Sequence, residues 1–241
     1  MNAAAGDRLL PSRRWRSRLA SVEAAAIAGI VAAIGWSIAI RGLLMTPGVD
    51  DSPEQIAAFY ANPDRRPNAV LLLQILVIAT IAFLWFVGVV RGRLGDAEPK
   101  LFGTVFLGGA ILLAGILLVG AAALAAPSIL VGVGGRQPDP GAVSTMRAFA
   151  VALFGVFLPR VATLVILSTA ALGRATGALP RWLVWLSYAV GVAEFVNVTV
   201  SEPMIFVFPA WIALVSVVLL IRKPGRDSTP SAVTGQPAGS A

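Results

Sequence analysis

Cysteine and histidine are both absent from this 241-residue sequence, and only 13% of it is charged. Without cysteine there is no disulfide, no thiolate nucleophile and no thiolate metal site. Without histidine the commonest general base, proton shuttle and metal ligand is gone. Haem held by either residue, zinc hydrolysis in its usual forms and Ser-His nucleophilic catalysis are excluded by inventory. Soluble domains carry about a quarter charged residues. The deficit here, with 57% hydrophobic residues and a mean hydropathy of +0.83, places the chain in the membrane class. The net charge of +7 could point to nucleic acid, but the basic residues fall at the ends of apolar runs, where membrane topology explains them. Arginine outnumbers lysine by 17 to 2, and alanine, glycine and valine are abundant, as in a high-GC bacterial genome.

What is present is a series of apolar runs. The first, 24–44, is 21 residues long; at about 1.5 Å per residue it crosses a hydrocarbon core about 30 Å thick. It exceeds a signal-peptide core and no small-x-small cleavage site precedes Arg41, so a retained helix is expected. Gly29 and Ala33 form a small-xxx-small pair suited to close helix contact. In the loop that follows, Ser52-Pro53-Glu54-Gln55 has the form of a capping box with proline at the first helical position. Ile56, Phe59 and Tyr60 share one face of the short helix it predicts, a face expected to rest on the membrane or the bundle, with a partner or lid surface as the alternative. Asp50 and Asp51 are consecutive and lack further ligands, so they read as a solvated turn rather than a cation site.

Further runs cover 69–90, 101–126, 143–172, 182–200 and 204–221. Gln74 interrupts the second and is expected to bond a neighbouring helix. Gly108, Gly109, Ala110, Ala114 and Gly115 give the third a small-residue packing surface. Residues 127–142, with Gly134-Gly135 and Pro138-Asp139-Pro140, read as a flexible loop. The start of the fourth run, with Ser144, Thr145 and Arg147, is expected to project from the bilayer. Pro159 should kink that run and free a backbone carbonyl. Trp182, Trp185 and Tyr188 open the fifth as an interfacial aromatic belt would.

With both termini cytoplasmic, thirteen basic residues fall in inside segments (1–23, 91–100, 173–181 and 222–241), against three, Arg65, Arg66 and Arg136, in outside loops. That asymmetry satisfies the positive-inside rule for six spans. Two charges lie deep in the runs, Arg160 in the fourth and Glu194 in the fifth. Arg160 stands fourteen residues before Arg174 and Glu194 thirteen after Arg181, about 21 and 19.5 Å of helix from the cytoplasmic turn. The two therefore sit at nearly one height in an antiparallel hairpin. An ionisable group at mid-membrane costs about 2.5–3.5 kcal/mol on insertion scales. Each is the other's nearest candidate partner. Arg160 and Glu194 are accordingly the candidate intramembrane pair. The pair serves either as interhelical glue or, with Arg160 lining a cavity opened by Pro159, as a site for an anion or a lipid headgroup, Glu194 and Asn197 then relaying protons or selecting a cation.

Leu179-Pro180-Arg181-Trp182-Leu183, Ser52-Pro53-Glu54-Gln55-Ile56-Ala57-Ala58-Phe59-Tyr60 and Phe86-Val87-Gly88 leading to Arg91 resemble motifs of the six-helix actinobacterial membrane proteins grouped around domain of unknown function 4386. The similarity covers most of 22–222 and implies the same six-helix topology; it brings no activity, cofactor or catalytic residue.

The expectation is thus an all-α polytopic membrane protein with six transmembrane helices and both termini cytoplasmic. A basic segment at 1–20 precedes a transmembrane domain at 21–222 and a disordered tail at 223–241. Localisation is to a bacterial plasma membrane. Partners are the lipid bilayer and, at Arg8, Arg13, Arg14, Arg16 and Arg18, anionic lipid; nucleic acid is not expected. No catalytic, cofactor-binding or metal residue stands out and no enzyme is expected. A structural or accessory role comes first, and a small-solute, ion or lipid transporter or channel using Arg160 and Glu194 is the alternative.

Overall fold

The computed structural model describes residues 22–94, 100–177, 179–197 and 202–221. The segment expected at 1–20, with its arginine cluster, and the tail expected at 223–241 lie outside them. Among the described residues every regular element is helical. In chain order these are α1 (Val22–Leu44), α2 (Pro53–Ala61), a short 3-10 turn (Pro63–Arg65), α3 (Ala69–Leu94), α4 (Lys100–Gly132), α5 (Pro140–Ala152), a π segment (Leu153–Phe157), α6 (Leu158–Thr176), α7 (Arg181–Val196), α8 (Glu202–Ile205) and α9 (Val207–Ile221). Five stretches are long and apolar enough to cross a membrane: Glu23–Leu44, Pro63–Arg91, Gly103–Gly132, Pro140–Ala175 and Pro203–Ile221. The chain is an all-helical, membrane-embedded protein. The expected fifth run is the exception: α7 stops at Val196 after 16 residues, about 24 Å.

The surface has the character of a bilayer-facing one. Ile27, Val31, Ile34 and Ile38 on α1, Ile78 and Ile81 on α3, and Ile111 and Leu112 on α4 are all exposed. Such apolar stripes would drive aggregation in water but match lipid tails.

Inside, α1 is the hub, packed against α3 and α9, with α4 beyond α3 and α6 beyond α4. The core between α1, α3 and α9 is aromatic. Trp36 lies 4.8 Å from Phe83 and 6.0 Å from Phe208, ring centre to ring centre. Both buried indoles are satisfied: Trp36 Nε1 donates to Thr80 Oγ1 at 3.1 Å and Trp211 Nε1 to Ser187 Oγ at 2.9 Å. Gly35 lets α1 and α3 approach so closely that a Cβ there would stand 2.7 Å from Ala79 Cβ. The small-residue reading holds for Gly29, which meets Ser216 and Phe86, and for Gly109, which meets Leu164. Gly108 and Gly115 face open space instead.

Two prolines of the stretch read as a flexible loop, 127–142, belong to helices. Residues 127–132 continue α4 through Pro127, because Val131 and Ile129 bury apolar surface beyond it, and packing outweighs the proline penalty. Asp139-Pro140, read as loop, is an N-cap followed by proline at the first helical position. Ala142 N donates to Asp139 Oδ2 at 2.9 Å, so the fourth run starts three residues earlier than its apolar residues suggest. The capping box of α2 forms as expected, Gln55 N to Ser52 Oγ at 3.3 Å and Ser52 N to Gln55 Oε1 at 2.7 Å. Its Ile56–Tyr60 face rests on the bundle, against Val143 of α5.

Candidate functional site

Pro159 sets the local geometry. It has no N–H and cannot serve the carbonyl four residues back, that of Gly155. The helix answers with the π segment, where Leu158 N–H reaches Leu153 O. Arg160 then completes what the proline leaves open. Its Nη1 donates to Gly155 O at 3.2 Å and to Val156 O at 3.0 Å, and its Nη2 donates to Asn197 O at 2.7 Å. Asn197 is the C-cap of α7, and the last carbonyls of a helix have no intrahelical donors. One guanidinium therefore closes two breaks in the backbone: the π segment of its own helix and the end of α7.

A second tie lies deeper. Thr163 Oγ1 bonds both Pro159 O and Gly191 O at 3.0 Å. At Gly191 a Cβ would meet Leu167 Cδ2 at 2.6 Å, so the bare backbone of α7 there seats the Leu167 side chain of α6.

Glu194 is buried on α7, 3% exposed. Arg160 and Glu194 are thus brought to one interface, as the equal-height argument anticipates, and Glu194 feels the Arg160 charge across it. Their contact is not direct: among the described residues no hydrogen bond or ion pair joins them, since the guanidinium is committed to carbonyls. Sequence spacing could align the two heights. It could not show that backbone acceptors would compete for the arginine.

At the end of the bundle bearing the first loop is a cavity of about 350 Å³ lined by Gly48, Val49, Asp50, Arg147, Phe154 and Gly155, among others. It reaches the π segment from that side. Arg147, expected to project, is buried at 8% exposure, covered by the first loop and α2. Its charge reaches Tyr60. Burial pushes the Tyr60 phenol above its usual range, and the Ser128 hydroxyl and the Arg147 charge oppose that rise. Arg147, Tyr60 and Ser128 were not singled out as site residues from sequence. The one available signal was Asp139-Pro140, which as a helix start carries Arg147 two turns into α5. Among the described residues no three carboxylates converge on a metal-sized space.

No protein-family model, curated protein or solved structure matches this chain.

Proposed function

We propose that this is a non-catalytic, six-span protein of a bacterial plasma membrane, with both termini cytoplasmic and a structural or accessory role. The observation that carries the reading is the set of three hydrogen bonds from Arg160 to backbone carbonyls. A guanidinium bound this way holds helices together and is poorly placed to exchange a ligand. It also supports α7 as the fifth of six spans. A 16-residue helix falls short of a core about 30 Å thick, and a charged donor at its C-cap offsets the cost of ending inside. Kinship with the proteins around domain of unknown function 4386 belongs to the same proposal and rests on the three sequence motifs.

Two experiments test it. Because the chain lacks cysteine, single cysteines at Gly177 and at Pro203, before and after α7, report directly whether it crosses. Labelling of both by an impermeant maleimide from the same side would sink six spans. Thermal unfolding in detergent of Arg160→Met, Glu194→Gln and the double variant forms a double-mutant cycle. Destabilisation by Arg160→Met supports the structural role; melting like the parent in all three would remove it.

The cavity beside Gly155 is the observation that favours transport as the second reading. An ion or small-anion flux in liposomes that Arg147→Gln abolishes, with folding intact, would establish it.

A further inference from the structure

A second cavity, about 280 Å³, opens at the N-terminus of α3. Its lining includes Arg66, Pro67, Asn68, Ala69, Ser128 and Ile129. Asn68 caps α3: its Oδ1 accepts from Leu71 N at 3.1 Å and its carbonyl from Leu72 N at 3.0 Å. The N–H groups of Ala69 and Val70, earlier in that turn, have no intrahelical acceptor. An anion at this place is favoured by those donors and by the helix dipole.

The cavity wall carries polar groups lacking partners. Ser128 is 6% exposed, and its Oγ is buried without a hydrogen bond. So is Arg66 Nε. Behind Ser128 stands the buried Tyr60 hydroxyl, which feels the Ser128 hydroxyl and does not line this space. Buried polar groups are normally satisfied. Two unsatisfied ones around one space, Ser128 Oγ and Arg66 Nε, with a helix N-terminus beside them, describe a receptor for an oxyanion. No carboxylate lines it, so a cationic headgroup would find no partner.

An apolar groove of about 480 Å³ continues from it, lined by Val70, Leu73, Gln74, Val77, Ile78 and Ile129. Val70 and Ile129 belong to both. From Val70 to Ile78 the groove runs about 12 Å along α3 toward mid-bilayer. Gln74 lies in this groove and is exposed. The sequence reading gave its amide to a neighbouring helix. Gln74 instead makes no hydrogen bond among the described residues. An amide facing hydrocarbon without a partner is costly. It stands about 7.5 Å below Ala69, the level at which a lipid's ester carbonyls would follow its phosphate.

We propose that these two spaces form one binding site for a glycerophospholipid with an anionic headgroup. The phosphate is held by Arg66 and the first turn of α3, an ester carbonyl accepts from Gln74, and one acyl chain lies along Leu73, Val77 and Ile78. Polar cavity, amide and apolar groove follow one another in the order of a phospholipid's own parts.

Native mass spectrometry of the full chain in detergent, titrated with dioleoylphosphatidylglycerol or dioleoylphosphatidylcholine, tests it. The parent should prefer the phosphatidylglycerol about fivefold or more, as one basic residue facing one net negative charge gives. Arg66→Gln should weaken that lipid about tenfold. Val77→Trp fills the groove and Gln74→Leu removes the amide; both sit on the lipid-facing side of α3 and keep the test alive if Arg66→Gln fails to fold. Each should weaken binding about threefold or more. Arg136→Gln, an exposed arginine at the same end, should change nothing.

Equal binding of the two lipids by the parent overturns the proposal. So does an equal loss in Arg136→Gln and Arg66→Gln, which would mean diffuse attraction. Glycerol 3-phosphate displacing the lipid at equal concentration, with Val77→Trp without effect, would make this a free-oxyanion site and also overturn it.

Discussion

The α1–α3 pair and the α6–α7 pair are both helix contacts made inside hydrocarbon, and they are held in different ways. Between α1 and α3 the helices are regular and every backbone bond lies within its own helix. Side-chain volume governs that contact: Gly35 against Ala79 brings the axes together, and Trp36 and Phe83 fill the space beside them. Between α6 and α7 the backbone is broken twice, at the π segment and at the end of α7. There the ties are polar, from Arg160 and Thr163 to carbonyls of Gly155, Val156, Gly191 and Asn197. With no water in the bilayer core, every backbone polar group needs a protein partner. Regular helices meet this alone and leave packing to decide the contact. Interrupted helices recruit polar side chains to do it.

The contrast can be broken most sharply at Arg160. Arg160→Met strips donors from three carbonyls and should destabilise the protein by about 3 kcal/mol. Thermal or denaturant unfolding in detergent checks it. Arg160→Lys keeps the charge but not the planar fork. Recovery of less than about half the loss is expected; full recovery would mean that charge alone matters at this interface.

Gly35→Leu should come next, at about 1–3 kcal/mol, because the added atoms must push apart two close backbones. The same unfolding assay reads it. Loss of similar size from Thr80→Val would show that α1–α3 also depends on a polar tie, through Trp36, and the contrast would weaken.

Pro159→Ala sharpens the comparison from the other side. It restores the N–H that Gly155 O lacks, so amide exchange at 155–159 should slow while stability changes by less than about 1 kcal/mol. With that variant in place, Arg160→Met should cost less than in the parent.

The smallest effect is a pH dependence. Burial raises the Tyr60 phenol above its ordinary 10.0. Between that value and the raised one the unfolded chain releases a proton that the folded chain keeps. Stability should therefore be fully present below pH 10 and fall as pH rises through this window. The difference between parent and Tyr60→Phe in ultraviolet absorbance titration and in unfolding measures it.

Sequence legibility followed the same division. The capping box at Ser52, the lipid-facing apolar runs and the height shared by Arg160 and Glu194 were all readable, because each depends on local spacing. Even the freed carbonyl at Pro159 was foreseeable, since a missing N–H has a fixed address four residues back. The acceptors of Arg160 were less so. Gly155 and Val156 are local, but Asn197 O is presented only because α7 stops at Val196; Asn197 and Thr199 make the later half of that run less apolar, yet the run reads through 200. The covering of Arg147 and the outward turn of Gln74 were invisible for a related reason: both depend on which neighbour occupies each side of a helix.

The sequence by itself determined that this chain is helical and belongs in a membrane. Long runs poor in charge leave hydrogen-bonded helices as the spanning structure open to such a chain, and no inventory of catalytic thiols or imidazoles competes with that reading. Tertiary structure alone decided where the polar residues within those runs point. A guanidinium in hydrocarbon goes to the strongest acceptors within reach. Here those are carbonyls exposed by a proline and by the end of a helix, so the partner of Arg160 was set by where the backbone breaks and not by the matching charge on Glu194.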